Sequence, residues 1–237
     1  MEENIIEPVL LRELTIIRHG ESKANAGLDP QDDYAEYHDS SLSDLGILQA
    51  EKLRDYLADY GFNAVYSSGL RRAAQTAGVL AGKQNGKSIF ILPSACEIGM
   101  DPEYKGQSLA DIRALCPGVN VSLAEGVNPA APLSVPDECP YEHEERYFER
   151  AKAVLDYMGG HYNSGEKIAL VSHAGFLTYM IFRLLGFTDF QPRQDFRLSN
   201  TGMTRILFFK EGTNKYGDVI FDCVNERPHL KPDEYRV

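Results

Sequence analysis

Short apolar runs alternate with stretches of helical periodicity along this chain. Leu14-Thr15-Ile16-Ile17 is the first run. It is too apolar to leave either face exposed, which predicts a strand in the middle of a parallel sheet. The run stops on Arg18, His19 and Gly20, and a glycine there is expected to let the backbone turn tightly and approach a ligand. Ser22 to Ser41 is polar and acidic and reads as a long surface loop. Ser43 then stands as an N-cap for a helix in which Leu45, Leu48, Leu53, Tyr56, Leu57 and Tyr60 recur at helical spacing, with Gly61 as its end. Ala64 to Ser67 predicts a second strand, about Leu70 to Ala81 an alanine-rich helix, and Ser88 to Leu92 a third strand. Pro93 to Gly106 is irregular and carries Glu97, and a short helix follows from about Leu109 to Leu115.

Cys116 to Pro140 is rich in proline with little periodicity, which reads either as a surface excursion or as a flap that shapes substrate choice. A charged helix is expected from Tyr141 to Met158, ended by Gly159-Gly160. Lys167 to Ser172 is a fourth strand followed by His173, with a helix from about Phe176 to Leu185. Met203 to Phe209 and Val219 to Val224, joined by a glycine-containing turn, predict an antiparallel hairpin at a sheet edge. Alternating strands and helices imply an α/β fold, a three-layer α/β/α sandwich whose central sheet is mostly parallel with an antiparallel edge. At 237 residues the chain suits a single domain, residues 1–237, with 116–140 as an insertion.

Composition narrows the partners. The formal charge of −11, from 24 basic against 35 acidic residues, disfavours broad attraction to nucleic acid or anionic lipid. An anionic substrate must therefore be held by a local basic pocket. Met1 to Pro8 is acidic and lacks the pattern of a secretory signal, and the longest apolar candidate, Ala174 to Phe187, is interrupted by Arg183, so no membrane segment is expected. Cys96, Cys116, Cys139 and Cys223 lie far apart without a CxxC pair, a poor framework for zinc or disulfides. A cytoplasmic protein with reduced thiols is the expectation.

Two predicted strands end in histidine, and another leads through Ser67-Ser68 to Arg71-Arg72. Strand ends of one sheet converge at one rim, so His19, His173 and one of these arginines can share a pocket. Such a pocket suits a phosphoryl group: arginine forks match its oxygens, and a neutral imidazole can attack phosphorus and carry the group covalently. His38, His143, His161 and His229 sit in polar surroundings and read as surface residues.

The runs RHGESKAN at 18–25, LSDLGILQA at 42–50, YSSGLRRAAQTA at 66–77, an acid at Glu97 and LVSHAGFL at 170–177 together resemble the histidine phosphatase superfamily, also called the phosphoglycerate mutase-like family. The resemblance implies that fold, with His19 as the nucleophile that becomes phosphohistidine, Arg18 and Arg72 as phosphate clamps, and His173 as a donor to the phosphoryl oxygens. By the same resemblance Asn25 lies beside the phosphate, and Ala174 offers a backbone N–H at a helix start. Glu97 matches the acid that protonates the leaving alcohol and then activates water. Neither a cofactor nor a metal ion is expected, since arginines and histidine would meet the phosphoryl charge. The implied activity is a phosphomonoesterase acting on a small phosphorylated metabolite. Phosphoglycerate mutase-type transfer and a non-catalytic phosphate-binding module are the alternatives. Ala24 stands where many relatives carry Trp, and Glu97-Ile98-Gly99-Met100-Asp101 departs from the E-R-H-Y-G of dedicated mutases. The ending Asn225 to Leu230 resembles a C-terminal N-x-x-x-H-L of some phosphatase members.

Overall fold

The computed structural model describes residues 7–28, 33–84, 86–101, 104–134, 144–188 and 196–236. The first apolar run lies inside strand β1 (Leu10–Arg18), whose last six residues are buried. β2 (Ala64–Ser67), β3 (Ser88–Ile91), β4 (Asn120–Leu123), β5 (Glu166–Ser172), β6 (Met203–Phe209) and β7 (Val219–Glu226) complete one seven-stranded sheet, in the order β4-β3-β2-β5-β1-β6-β7. The pairings from β4 to β1 are parallel, whereas β6 runs antiparallel to β1 and β7 antiparallel to β6. The terminal hairpin is therefore a sheet edge, as the pattern predicts.

Both faces of the sheet are covered, which is why its central strands lack a polar face. Leu14, Ile16, Ile168 and Leu170 point to one side, where α5 (Glu144–His161) and α6 (Ala174–Leu184) supply Val154, Met158, Phe176 and Met180. Ile17, Val65, Ala169 and Val171 point to the other, against α2 (Asp44–Tyr56), α3 (Arg71–Ala81) and α4 (Leu109–Leu115). Among the described residues no helix is long and apolar enough to cross a membrane.

Several elements differ from the sequence pattern. A short helix, α1 (Tyr34–His38), lies in the polar stretch expected to be a loop; Asp33 accepts the Glu36 amide at its start. The segment expected to lack regular structure after Cys116 contains β4, a strand whose pattern is carried by one buried residue, Val121. Farther along, Leu133 and Ser134 are buried, and residues 135–140 fall outside the described ones. α2 ends at Tyr56, short of Gly61, and Leu48 on its surface is exposed. α5 continues through Gly159-Gly160 to His161. A glycine costs a helix only about 1 kcal/mol, and the bare Gly159 leaves room for the Arg12 guanidinium. α6 starts two residues before Phe176, for a reason found in the site.

Candidate active site

Parallel register brings the carboxyl ends of β1, β5 and β2 side by side, with Arg18 opposite Ser172 and Ser67 opposite Val171. The residues beyond those ends stay laced together. The His19 amide donates to Ser172 O at 2.9 Å, the Ser68 amide to Val171 O at 3.1 Å, and the Thr201 amide to Arg18 O at 3.0 Å. His19, Ser68 and His173 therefore meet at one rim although distant in sequence.

Both imidazoles are buried, at 4% and 0% exposure, with ring centroids 5.0 Å apart. His19 Nδ1 lies 2.6 Å from Gly20 O, and since a carbonyl only accepts, the ring proton is assigned to Nδ1. Nε2 thus keeps its lone pair, and Arg72 Nε donates toward it at 3.2 Å. His173 Nε2 lies 2.7 Å from Ser68 Oγ, which itself accepts the Leu70 amide at 3.3 Å. This contact ties one ring nitrogen of His173 to the residue after β2 and leaves Nδ1 as the other. That Nδ1 is buried without a partner, as are Arg18 Nε and Asn200 Oδ1. Buried polar atoms in native proteins are nearly always paired; five others among the described residues are also unpaired, and what sets these three apart is that they belong to His173, to Arg18 and to the Asn200 that holds His19 O.

Burial, the Arg72 guanidinium and the Arg18 guanidinium hold His19 well below the usual imidazole range, against a smaller opposing pull from Gly20 O. His173 is held down by burial first, then by Arg72, His19 and Arg18. Burial also lowers Arg18, while the Glu97 carboxylate pulls it the other way. Two neutral imidazoles between two cations form a local anion trap in a chain that is acidic overall.

Glu97 joins the site from the far side. Its carboxylate accepts the Phe176 amide at 3.0 Å and the Gly175 amide at 3.4 Å. A carboxylate at a helix start satisfies amides that have no partner inside the helix and complements its dipole, which lets α6 begin at Ala174. Gly175 permits the approach, because a Cβ there would lie 2.7 Å from Glu97 Oε1. The Ala174 amide has no acceptor among the described residues. Asn25 Oδ1 accepts the Ser22 amide at 3.3 Å and Asn200 Nδ2 at 3.4 Å, which ties this exposed side chain to the rim. Of the residues named from the sequence, Arg72 and His173 meet the His19 ring, Arg18 precedes it, Asn25 is tied to the residue that holds His19 O, and Glu97 accepts amides of the helix that begins at Ala174.

The arginine pair separates cleanly. Arg72 faces His19, whereas Arg71 Nη1 pairs with Glu36 at 2.7 Å. Gly20 differs from its expectation: its φ is not left-handed, and a Cβ there would lie 2.6 Å from Gly46 O, so the missing side chain makes room for α2 and not for a ligand. His229 is also not a simple surface residue. It is half-buried, 2.9 Å from Thr201 Oγ1, and burial with the Lys52 charge lowers it to about 4. His38 is half-buried against Tyr34 and Tyr104, His161 is exposed, and His143 lies outside the described residues.

Sequence reasoning missed Ser68, Asp39 and Asn200. Ser68 stands in a quoted motif without a role. Asn200 Nδ2 donates to His19 O at 2.9 Å from a loop that carries no periodicity. Asp39 is fully buried, accepts the Arg71 amide at 2.9 Å and stands 3.6 Å from Arg72 Nη1. Burial pushes it up to about 6 against the pull of Arg72. In sequence it is one acid among many in a polar stretch.

The family model of the histidine phosphatase superfamily (branch 1) matches residues 14–216. A Danio rerio protein named probable fructose-2,6-bisphosphatase TIGAR A is 32% identical over 131 residues, which are 55% of this chain and 46% of that protein, so the match spans about half of the relative's length. Glucosyl-3-phosphoglycerate phosphatase of Mycolicibacterium vanbaalenii is 29% identical over 182 residues, covering 74% of this chain and 75% of that one. Among solved structures, phosphoserine phosphatase from Entamoeba histolytica in complex with 3-phosphoglyceric acid superposes with a TM-score of 0.60 at 23% identity, over 93% of this chain and 100% of the other, which shows a shared fold.

Proposed function

Because this chain belongs to the histidine phosphatase superfamily, branch 1, we propose that it is a phosphomonoesterase that hydrolyses a small phosphorylated metabolite through a phosphohistidine. The observation that carries the proposal is the state of His19: a buried imidazole, its proton on Nδ1 and its Nε2 lone pair facing the Arg72 guanidinium, whose Nε donates toward it. Relatives named as phosphatases lend support from a second direction.

In the first step His19 Nε2 attacks phosphorus and the bond to the ester oxygen breaks. The electron pair leaves on that oxygen, and the Glu97 carboxyl supplies its proton, so an alcohol departs. In the second step the Glu97 carboxylate takes a proton from water, the water oxygen attacks phosphorus, and the P–N bond electrons return to Nε2. Arg18, Arg72, His173, Asn25 and the Ala174 amide hold the phosphoryl oxygens. Guanidiniums match them geometrically and cost no reorganisation as charge shifts. In this reading the arginines meet the charge that a divalent ion meets in other phosphoryl-transfer sites, so no metal is required.

The test is phosphate release from a panel of phosphomonoesters, both phosphoglycerates included, with wild type beside His19→Ala. Release from one or more esters that falls to background in the variant is the expected result. Undiminished release from His19→Ala would overturn the reading. Interconversion of phosphoglycerates without release would assign a mutase, and silence in both assays a phosphate-binding module.

A further inference from the structure

Three successive carbonyls before Glu97 are met by side chains from other parts of the chain. Ala95 O accepts Ser172 Oγ at 2.6 Å. Ser94 O and Cys96 O both accept the same donor, Arg150 Nη1, at 3.3 and 2.7 Å. Arg150 comes from α5 and is 7% exposed. Its guanidinium lies 4.6 Å over the Phe176 ring and 5.8 Å from that of Tyr147. Phe176 is the residue whose amide donates to Glu97. One buried cation thus grips the backbone on the N-terminal side of Glu97 and stacks on the helix start that holds the carboxylate.

Burying a guanidinium is costly, and a site whose only need is packing is better served by an apolar side chain of similar length. Toward Glu97, the guanidinium adds one nitrogen, Nη1, that donates to two carbonyls of an irregular segment. Glu97 follows a single 3₁₀ turn, Pro93–Ala95, and belongs to no regular element of its own. Proton transfer to a leaving group tolerates little misplacement of the donor. We propose that Arg150 is a positioning residue for Glu97: by holding Ser94 O and Cys96 O and bracing Phe176, it sets where the carboxyl group meets the leaving oxygen. This inference rests on the reading of Glu97 as the general acid.

The experiment compares kcat/KM for a simple alkyl phosphate with that for 4-nitrophenyl phosphate, in wild type, Glu97→Gln, Arg150→Met, Arg150→Lys and the Glu97→Gln/Arg150→Met double variant. An alkoxide needs its proton in the transition state and a nitrophenolate does not, so the alkyl-to-aryl ratio reads proton donation and not folding. The expected ratio falls about 100-fold in Glu97→Gln, at the low end of general-acid effects. It falls about tenfold in Arg150→Met, about threefold in Arg150→Lys, and no further in the double variant than in Glu97→Gln, as two residues acting through one proton require. A wild-type ratio in Arg150→Met, with both substrates slowed equally, would overturn the proposal, as would a further drop in the double variant. If Arg150→Met fails to fold, Arg150→Lys decides, and an unchanged ratio there is the contrary result. An unchanged ratio in Glu97→Gln would refute the role of Glu97 itself, which separates the two failures.

Discussion

His19 and His173 lie buried between two guanidiniums, and that setting fixes the proton form each holds. Both are kept well below 6.5, and His229 is lowered to about 4. The unfolded chain takes up these protons as pH falls below about 6.5 while the folded chain refuses them. The stability they contribute is therefore complete above the unfolded value and lost as pH falls toward the folded ones. Asp39 works in the opposite sense. Raised from 3.8 to about 6, it favours the folded chain at low pH, a contribution lost as pH rises through 6. Three groups against one predict that the thermal midpoint drops when pH is taken from about 7 to about 5; a flat or rising midpoint would contradict the burial of these imidazoles. At this scale the sequence was informative where chemistry coincides with a strand end. His19, Arg18 and His173 follow apolar runs and stand out. Arg72 could not be told from Arg71 by spacing, and the family motif decided between them. Ser68, Asp39 and Asn200 were illegible because each is a polar residue in a polar stretch whose partner is far along the chain.

The elements that carry these residues are joined at close backbone approaches. The start of α2 is docked on the backbone just after His19: Ser43 N donates to Glu21 O at 2.9 Å, and Ser43 Oγ accepts the Gly46 amide at 3.0 Å. A Cβ on Gly46 would overlap the Glu21 carbonyl. Gly46→Ala should therefore destabilise the protein by about 1–3 kcal/mol, an overpacking cost, even though alanine is the better helix former by about 1 kcal/mol. Urea unfolding of the variant checks this, and a midpoint at or above that of wild type would show that α2 can move away freely. α3 and α4 match the bounds expected from sequence closely. Elements set by tertiary contact do not: α6 is lengthened by Glu97 at its start, α5 runs on through two glycines to His161, and β4 has one buried residue, Val121, to mark it.

At the scale of the whole molecule the site is made by sheet order. β1 lies between β5 and β6, so a strand from the start of the chain is flanked by two from its second half, a pairing no local pattern reveals. The alternation of strands and helices did imply the rim where ligands sit. The C-terminal segment closes the arrangement. Asn225 accepts the Ser199 amide at 2.8 Å and donates to Arg197 O at 2.9 Å, and His229 meets Thr201. Together they brace the loop whose Leu198 O accepts Arg18 Nη1 at 2.6 Å and whose Asn200 holds His19 O. That ending was legible only as a family resemblance, since its use depends on a loop not near it in sequence. In the proposed reaction this whole assembly serves the covalent chemistry at His19. The most direct test of that chemistry is rapid quenching of Glu97→Gln during turnover of 4-nitrophenyl phosphate, with alkaline work-up and peptide mass mapping. The expected result is a phosphoryl group on the peptide containing His19, absent when His19 is replaced by alanine. Steady turnover with no label at His19 at any time, or label on another residue, would contradict it.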